Sequence, residues 1–209
     1  MSRPKHQLTL IAFLGLSILF QAGWPGAARA DNDTTGLDAG SSSIDASANY
    51  NVVAGTNQTV SANDTGNIVS GNQNTLQTDA DNNSVSGTNN TVNGDSNLVS
   101  GNNNTVTGSN SVALMGATVS GNSNVGIGQG ATVSSISAVA IGNDSAATNT
   151  YASALGYSAE ASGFYATALG VNSTASGDWA SALGSGAEAA GRGATALGTG
   201  LCKIGRAHV

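Results

Sequence analysis

Small apolar and polar residues alternate over residues 152–156, "ASALG", and the pattern returns as "ATALG" at 166–170, "ASALG" at 180–184 and "ATALG" at 194–198. Gly142, Gly156, Gly170, Gly184 and Gly198 fall at every fourteenth position, preceded by Ile141, Leu155, Leu169, Leu183 and Leu197. A period of two predicts a strand, with Ala152 and Ala154 on one side and Ser153 and Leu155 on the other. Gly or Asn follows where a turn is expected to need positive φ. A second short strand is marked by Ala147, Ala161, Ala175 and Ala189, and a second corner by Asn149, Gly163, Gly177 and Gly191. Each unit therefore reads as strand, turn, strand, turn. Units would stack about 4.8 Å apart, with the Leu residues forming a ladder that supplies the burial of each rung. A helix is excluded by Gly at every corner and by the Ser and Thr content.

A looser, Asn-rich version precedes this one. "SGTNNTV" at 86–92 recurs as "SGNNNTV" at 100–106, and Val85, Val92, Val99 and Val106 fall at every seventh position. The earlier "SGNQNTL" at 70–76 keeps the words but slips by two residues. The unit is thus a half-repeat, two to a turn, with occasional insertions. Fourteen extended residues reach roughly 46 Å, which predicts a flattened two-stranded roll. So thin a roll buries little apolar surface against the cost of ordering its backbone. The Ala stripes are free of bulk and suit close approach by neighbouring chains, so an obligate oligomer is expected.

The ends read differently. Residues 1–30 have the form of a secretory signal peptide, with Arg3 and Lys5, an apolar stretch at 8–20 and cleavage after Ala30. The apolar stretch is too short for a membrane span. Residues 31–49 form a polar leader, 50–134 the Asn-rich repeats and 135–200 the stricter repeats. At 201–209 the repeat is lost, and "IGRAHV" reads as the translation of a sequencing adapter. The chain is therefore expected to be the N-terminal part of a longer protein.

Aromatic residues make up 4% and charged residues 9% of the chain, so a conventional core is not expected. Between residues 31 and 200 a single basic residue, Arg192, stands against twelve carboxylates, a formal −11. That balance argues against nucleic acid and anionic lipid as partners. His6, His208 and Cys202 lie outside the repeats. His-dependent triads and His/Cys metal sites are therefore excluded from them, and no cofactor is expected.

"SAVAIGNDS" at 137–145, the "ALG" units after it and "NSVALMG" at 110–116 resemble the YadA-like head repeats of trimeric autotransporter adhesins. The resemblance implies a left-handed parallel β-roll, a homotrimeric head and display on a Gram-negative outer membrane. It also implies a stalk and a C-terminal anchor that this chain lacks. The expected partners are two further copies and a host matrix or cell-surface ligand. Ser137 to Gly142, "SAVAIG", departs at its first two positions from the "NSVAIG" word through which relatives bind matrix protein.

Tyr151, Tyr165 and Trp179 share one repeat position, with Gly193 in the fourth copy. This stripe is the candidate ligand contact, and packing against a neighbouring subunit or loop is the plainer alternative. Phe164 is expected on the opposite face, buried. Asn89, Asn90, Asn103 and Asn104 are expected to stack as amide ladders. Asp79, Asp81 and Asn83 imitate the start of a calcium loop. Ser84 and Asn90 stand where Gly and Glu are required, so an EF-hand is rejected. Asp144, Glu160, Asp178 and Glu188 read as occupying different repeat positions, which counts against a carboxylate pair and against the alternative of a secreted β-solenoid enzyme acting on polysaccharide. Ice binding would need Thr ranks at one position. Thr167 and Thr195 alternate with Ser153 and Ser181, so it ranks last.

Overall fold

The structure is a computed structural model that describes residues 42–198. The expected signal peptide, its expected cleavage after Ala30 and the 201–209 tail lie outside the described residues. Those residues form a parallel β-solenoid of two facing sheets, each of 11 strands. Sheet I runs from Val52–Thr56 to Thr195–Leu197, and sheet II from Ser43–Ile44 to Glu188–Ala189. Every strand pairs with the equivalent strand one turn away, never with its sequence neighbour. At about 4.8 Å per rung the stack is about 48 Å long.

The register measures each turn. Val52 pairs with Ile68 and Ile68 with Ser84, so each of these turns advances the numbering by 16. Ser84 pairs with Leu98, a turn of 14, and Val112 with Val125, a turn of 13. From Val125 upward every turn is 14. The two extra residues of the early turns lie in 61–67 and 77–83, where the chain passes from sheet II to sheet I.

The core is two facing columns. Sheet I contributes Val53, Val69, Val85 and Val99, then Ala113, and from Ala140 onward only Ala. Sheet II contributes Val60, Leu76, Val92, Val106, Val119 and Val133, then Ala147 onward. Sheet I turns small first. A Cβ on Gly126 would lie 2.6 Å from Val119 Cγ2, so only Gly fits at that crossover.

The expected Leu ladder exists, but on the outside. Ala154, Ala168 and Ala182 are fully buried, whereas Leu169 is 45% and Leu197 57% exposed. So short a turn closes too tightly to hold Leu inside. Ala fills the interior and Leu takes the opposite side of the strand. The Ala stripes therefore face each other within the chain, not a neighbouring chain. The two Gly columns also differ. Gly156 has φ 137 and its Cβ would meet the Gly170 carbonyl oxygen at 2.5 Å. Gly163 has no positive φ; a Cβ there would overlap the Gly177 carbonyl, so its role is close approach alone.

Candidate functional site

Three surfaces could meet a partner: the outward side of each sheet and the corner where sheet II passes to sheet I. The corner holds the aromatic stripe. Its outermost residue has positive φ on rung after rung: Tyr50 at 57°, Asn82 at 57°, Ser96 at 59° and Asn110 at 60°. Tyr151 at 59°, Tyr165 at 55° and Trp179 at 56° continue the column, and Gly193 follows at 65°. Left-handed backbone costs a bulky L-residue roughly 1–2 kcal/mol. Aromatic pairs return about 0.5–1.5 kcal/mol each. The stripe is thus close to neutral for the fold, and its rings are not there to stabilise the turn.

Tyr151 and Tyr165 stack at 4.6 Å between centroids, 21° from parallel. Phe164 is not buried on the opposite face. It is half-exposed and stands edge-on to Tyr165 at 4.5 Å, to Trp179 at 5.9 Å and to Tyr151 at 6.3 Å. Its backbone amide donates to Asp178 Oδ1 at 3.0 Å. The Arg192 guanidinium lies 4.6 Å over Trp179. Arg192 is the only Lys or Arg among the described residues, and the pairing is a cation–π contact. The three residues singled out from the sequence do converge, and Phe164 and Arg192 join them. The rings of Tyr151, Tyr165 and Trp179 belong to residues 45–47% exposed.

The outward side of sheet I is apolar over its upper part. Leu114, Ile127, Ile141, Leu155, Leu169, Leu183 and Leu197 stand in one register column. Val112, Val125 and Val139 flank it two residues earlier. Below Leu114 the same column is Ala54, Ser70, Ser86 and Ser100, where Ser86 Oγ bonds Ser100 Oγ at 3.0 Å. Sequence reasoning missed this surface, although the signal was present as "VAL", "VGI" and "VAI", a bulky residue on each side of a small one.

Asn side chains do ladder, in two buried columns. Asn90 Oδ1 accepts from Asn104 N at 3.0 Å and Asn104 Nδ2 at 2.8 Å, while Asn90 Nδ2 donates to Gly101 O at 2.8 Å. Asn51, Asn67, Asn83 and Asn97 repeat this at the other corner. Asn89 Nδ2 to Asn103 Oδ1, at 2.8 Å, is an exposed version. Among the described residues no buried side-chain polar atom lacks a partner.

The carboxylates offer little chemistry. Asp81 Oδ1 accepts from Thr65 N and Oγ1, and Asn83 belongs to a buried ladder. Asp64 is fully buried, with Oδ1 accepting from Ala80 N and Oδ2 from Ser61 N, both at 2.8 Å. Burial raises its pKa above the usual carboxylate value, against the pull of those two amides, and Asp81 and Asp79 add to the rise. Glu160 and Glu188 do share a column, on either side of Thr174, contrary to the reading from sequence. They stand on a flat outward side with no wall to exclude water.

The family model described as the YadA head domain repeat (2 copies) matches this chain at residues 125–145, 134–159, 147–173, 161–187 and 180–200. No curated protein matches the chain.

Proposed function

We propose, from the premise that residues 125–200 carry YadA head domain repeats, that this chain is the head of a homotrimeric adhesin. It is exported and displayed at a Gram-negative outer membrane. Its ligand is a component of host matrix or of a cell surface.

The observation that carries the reading is the apolar column from Leu114 to Leu197 on the outward side of sheet I. A solvated sheet face ordinarily alternates polar with buried positions, and contiguous exposed apolar surface marks association. Sheet I would face the threefold axis, with Leu and Ile of three chains meeting there. Sheet II and the aromatic corner would face outward. Tyr151, Tyr165 and Trp179, with Phe164 and Arg192, would present edges, phenol hydroxyls and one guanidinium to the ligand. Three copies of a weak contact on a rigid trimer bind together far more tightly than one.

Sedimentation of the chain tests this. A trimer is expected, and Leu155→Ser with Leu169→Ser should abolish it and lower the melting temperature followed by β circular dichroism. A stable wild-type monomer would remove the basis of the proposal. Turnover of polysaccharide by the purified chain would favour an enzyme instead.

A further inference from the structure

The outward side of sheet II differs from every other surface of the molecule. Thr59, Thr75, Thr91, Thr105, Thr118 and Thr132 occupy one column over six consecutive rungs, each paired in register with the next. The residue two positions after each of these Thr is Ser, Gln, Asn or Thr, within the strand at Asn93, Thr107 and Ser120 and just past it at Ser61, Gln77 and Ser134, and none of them is charged. In the upper rungs the column loses its identity to Ala146, Glu160, Thr174 and Glu188. The Thr rank that the stricter repeats of the other sheet do not supply stands here instead.

Strand propensity alone would place β-branched residues here, but not Thr six times in a chain rich in Ser and Val. Thr fixes both a hydroxyl and a methyl, because two heavy atoms on Cβ restrict χ1. Five of the six hydroxyls make no hydrogen bond to any described residue; Thr132 Oγ1 donates to Gly130 O at 3.2 Å. The array is therefore ordered in advance and open to an outside partner. The Asn ladder at Asn74, Asn90 and Asn104 runs directly behind these rungs and pins their spacing.

Such a surface selects a neutral partner that repeats. Its spacings are about 4.8 Å between rungs and about 6.6 Å between the two columns of a strand. The rung spacing lies near the oxygen repeat along one axis of a prism face of ice. A sugar polymer would ask for aromatic faces to stack against, and no aromatic residue stands on these rungs of sheet II. We infer that the Thr face of sheet II binds an ordered water lattice and, through it, ice. The hydroxyls take lattice positions while the methyls sit between them, and the low entropy cost of a rigid template supplies the affinity. One sheet is sufficient, so the inference does not depend on the trimer. With sheet I turned inward the Thr faces would still point outward.

The experiment is partition of the chain into slowly growing ice, together with inhibition of ice recrystallisation. The wild-type chain should concentrate in ice where an inert protein of equal size is excluded. Thr105→Lys, at the centre of the face on an exposed strand, should lower ice retention at least about tenfold. Thr174→Lys, on the same sheet outside the rank, should leave retention unchanged. Circular dichroism checks that both variants remain β. Exclusion of the wild-type chain from ice, full retention of Thr105→Lys, or binding to crystalline chitin or cellulose but not to ice would overturn the inference. None of those results touches the adhesin reading, which fails only on assembly and ligand binding.

Discussion

The lower and upper halves of the solenoid solve one problem in two ways. At each corner an amide next to the core must find an acceptor. In the lower half the acceptor is a side chain one rung below: Asn90 N bonds Asn74 Oδ1 at 3.1 Å and Asn104 N bonds Asn90 Oδ1 at 3.0 Å. In the upper half the corner closes on itself: Ala159 N bonds Gly156 O and Ser173 N bonds Gly170 O, each at 3.3 Å and three residues apart. The second solution needs no side chain, so Ala suffices. The first couples each rung to the next through buried amides, and it accompanies Val on both sides of the core. The lower half is held by its interior. The upper half has little interior to hold it and offers an apolar exterior instead.

The sharpest way to break this contrast is to remove one rung's side-chain acceptor. Asn90→Ala removes the partner of Asn104 N and of Gly101 O, while Asn104 Nδ2 keeps its bond to Ser100 O, and should cost about 2–4 kcal/mol at roughly 1–3 kcal/mol per buried group. Ser173→Ala, at the equivalent corner above, loses only the Ser173 Oγ to Gly170 O bond of 2.9 Å, and should cost under about 1 kcal/mol. Denaturant melts of the two variants measure the difference, and equal losses would erase it.

The cores should fail in opposite directions. Val99→Ala opens a cavity, and Ala168→Val overfills a site with none to spare. Each should cost about 2 kcal/mol, yet neither exchange would matter if the two interiors were equally roomy. Tyr165→Asn tests the corner. It relieves left-handed strain while losing two ring contacts, so stability should move by less than about 1 kcal/mol. Any ligand bound there should still be lost.

The smallest effect separates the halves by pH. Asp64, in a lengthened turn of the lower half, holds its proton above the unfolded value. The folded state thus binds the proton more tightly than the unfolded chain. Its contribution is greatest below about pH 4 and declines as pH rises through the folded pKa. Melting temperature followed from about pH 4 to about pH 7 should fall less steeply for Asp64→Asn than for wild type. Equal slopes would remove this role.

Much of the architecture was written in one dimension. Period, strand alternation and corner Gly follow from spacing, which is why the repeating turn and Asn stacking could be read directly. The side taken by Leu could not. Ala and Leu are both apolar, and only the tightness of the closed turn says which one fits inside. The aromatic column was visible as a repeat position, but no local rule places Tyr151, Tyr165 or Trp179 in left-handed backbone, and nothing in the sequence turns Phe164 toward them. The Thr column was legible, since Thr91 and Thr105 stand one repeat apart. It escaped notice because the longer turns below disguise its register.

The even pitch above Val125 has a genetic consequence. A gain or loss of one whole repeat unit preserves the backbone register between rungs and alters length by about 4.8 Å. Slippage during copying of such a gene would therefore lengthen or shorten the solenoid without breaking its backbone ladder. Below Ser84 the turns are longer and linked by buried amides. There the same accident must keep the partners of each Asn, so variation in length should gather in the upper half.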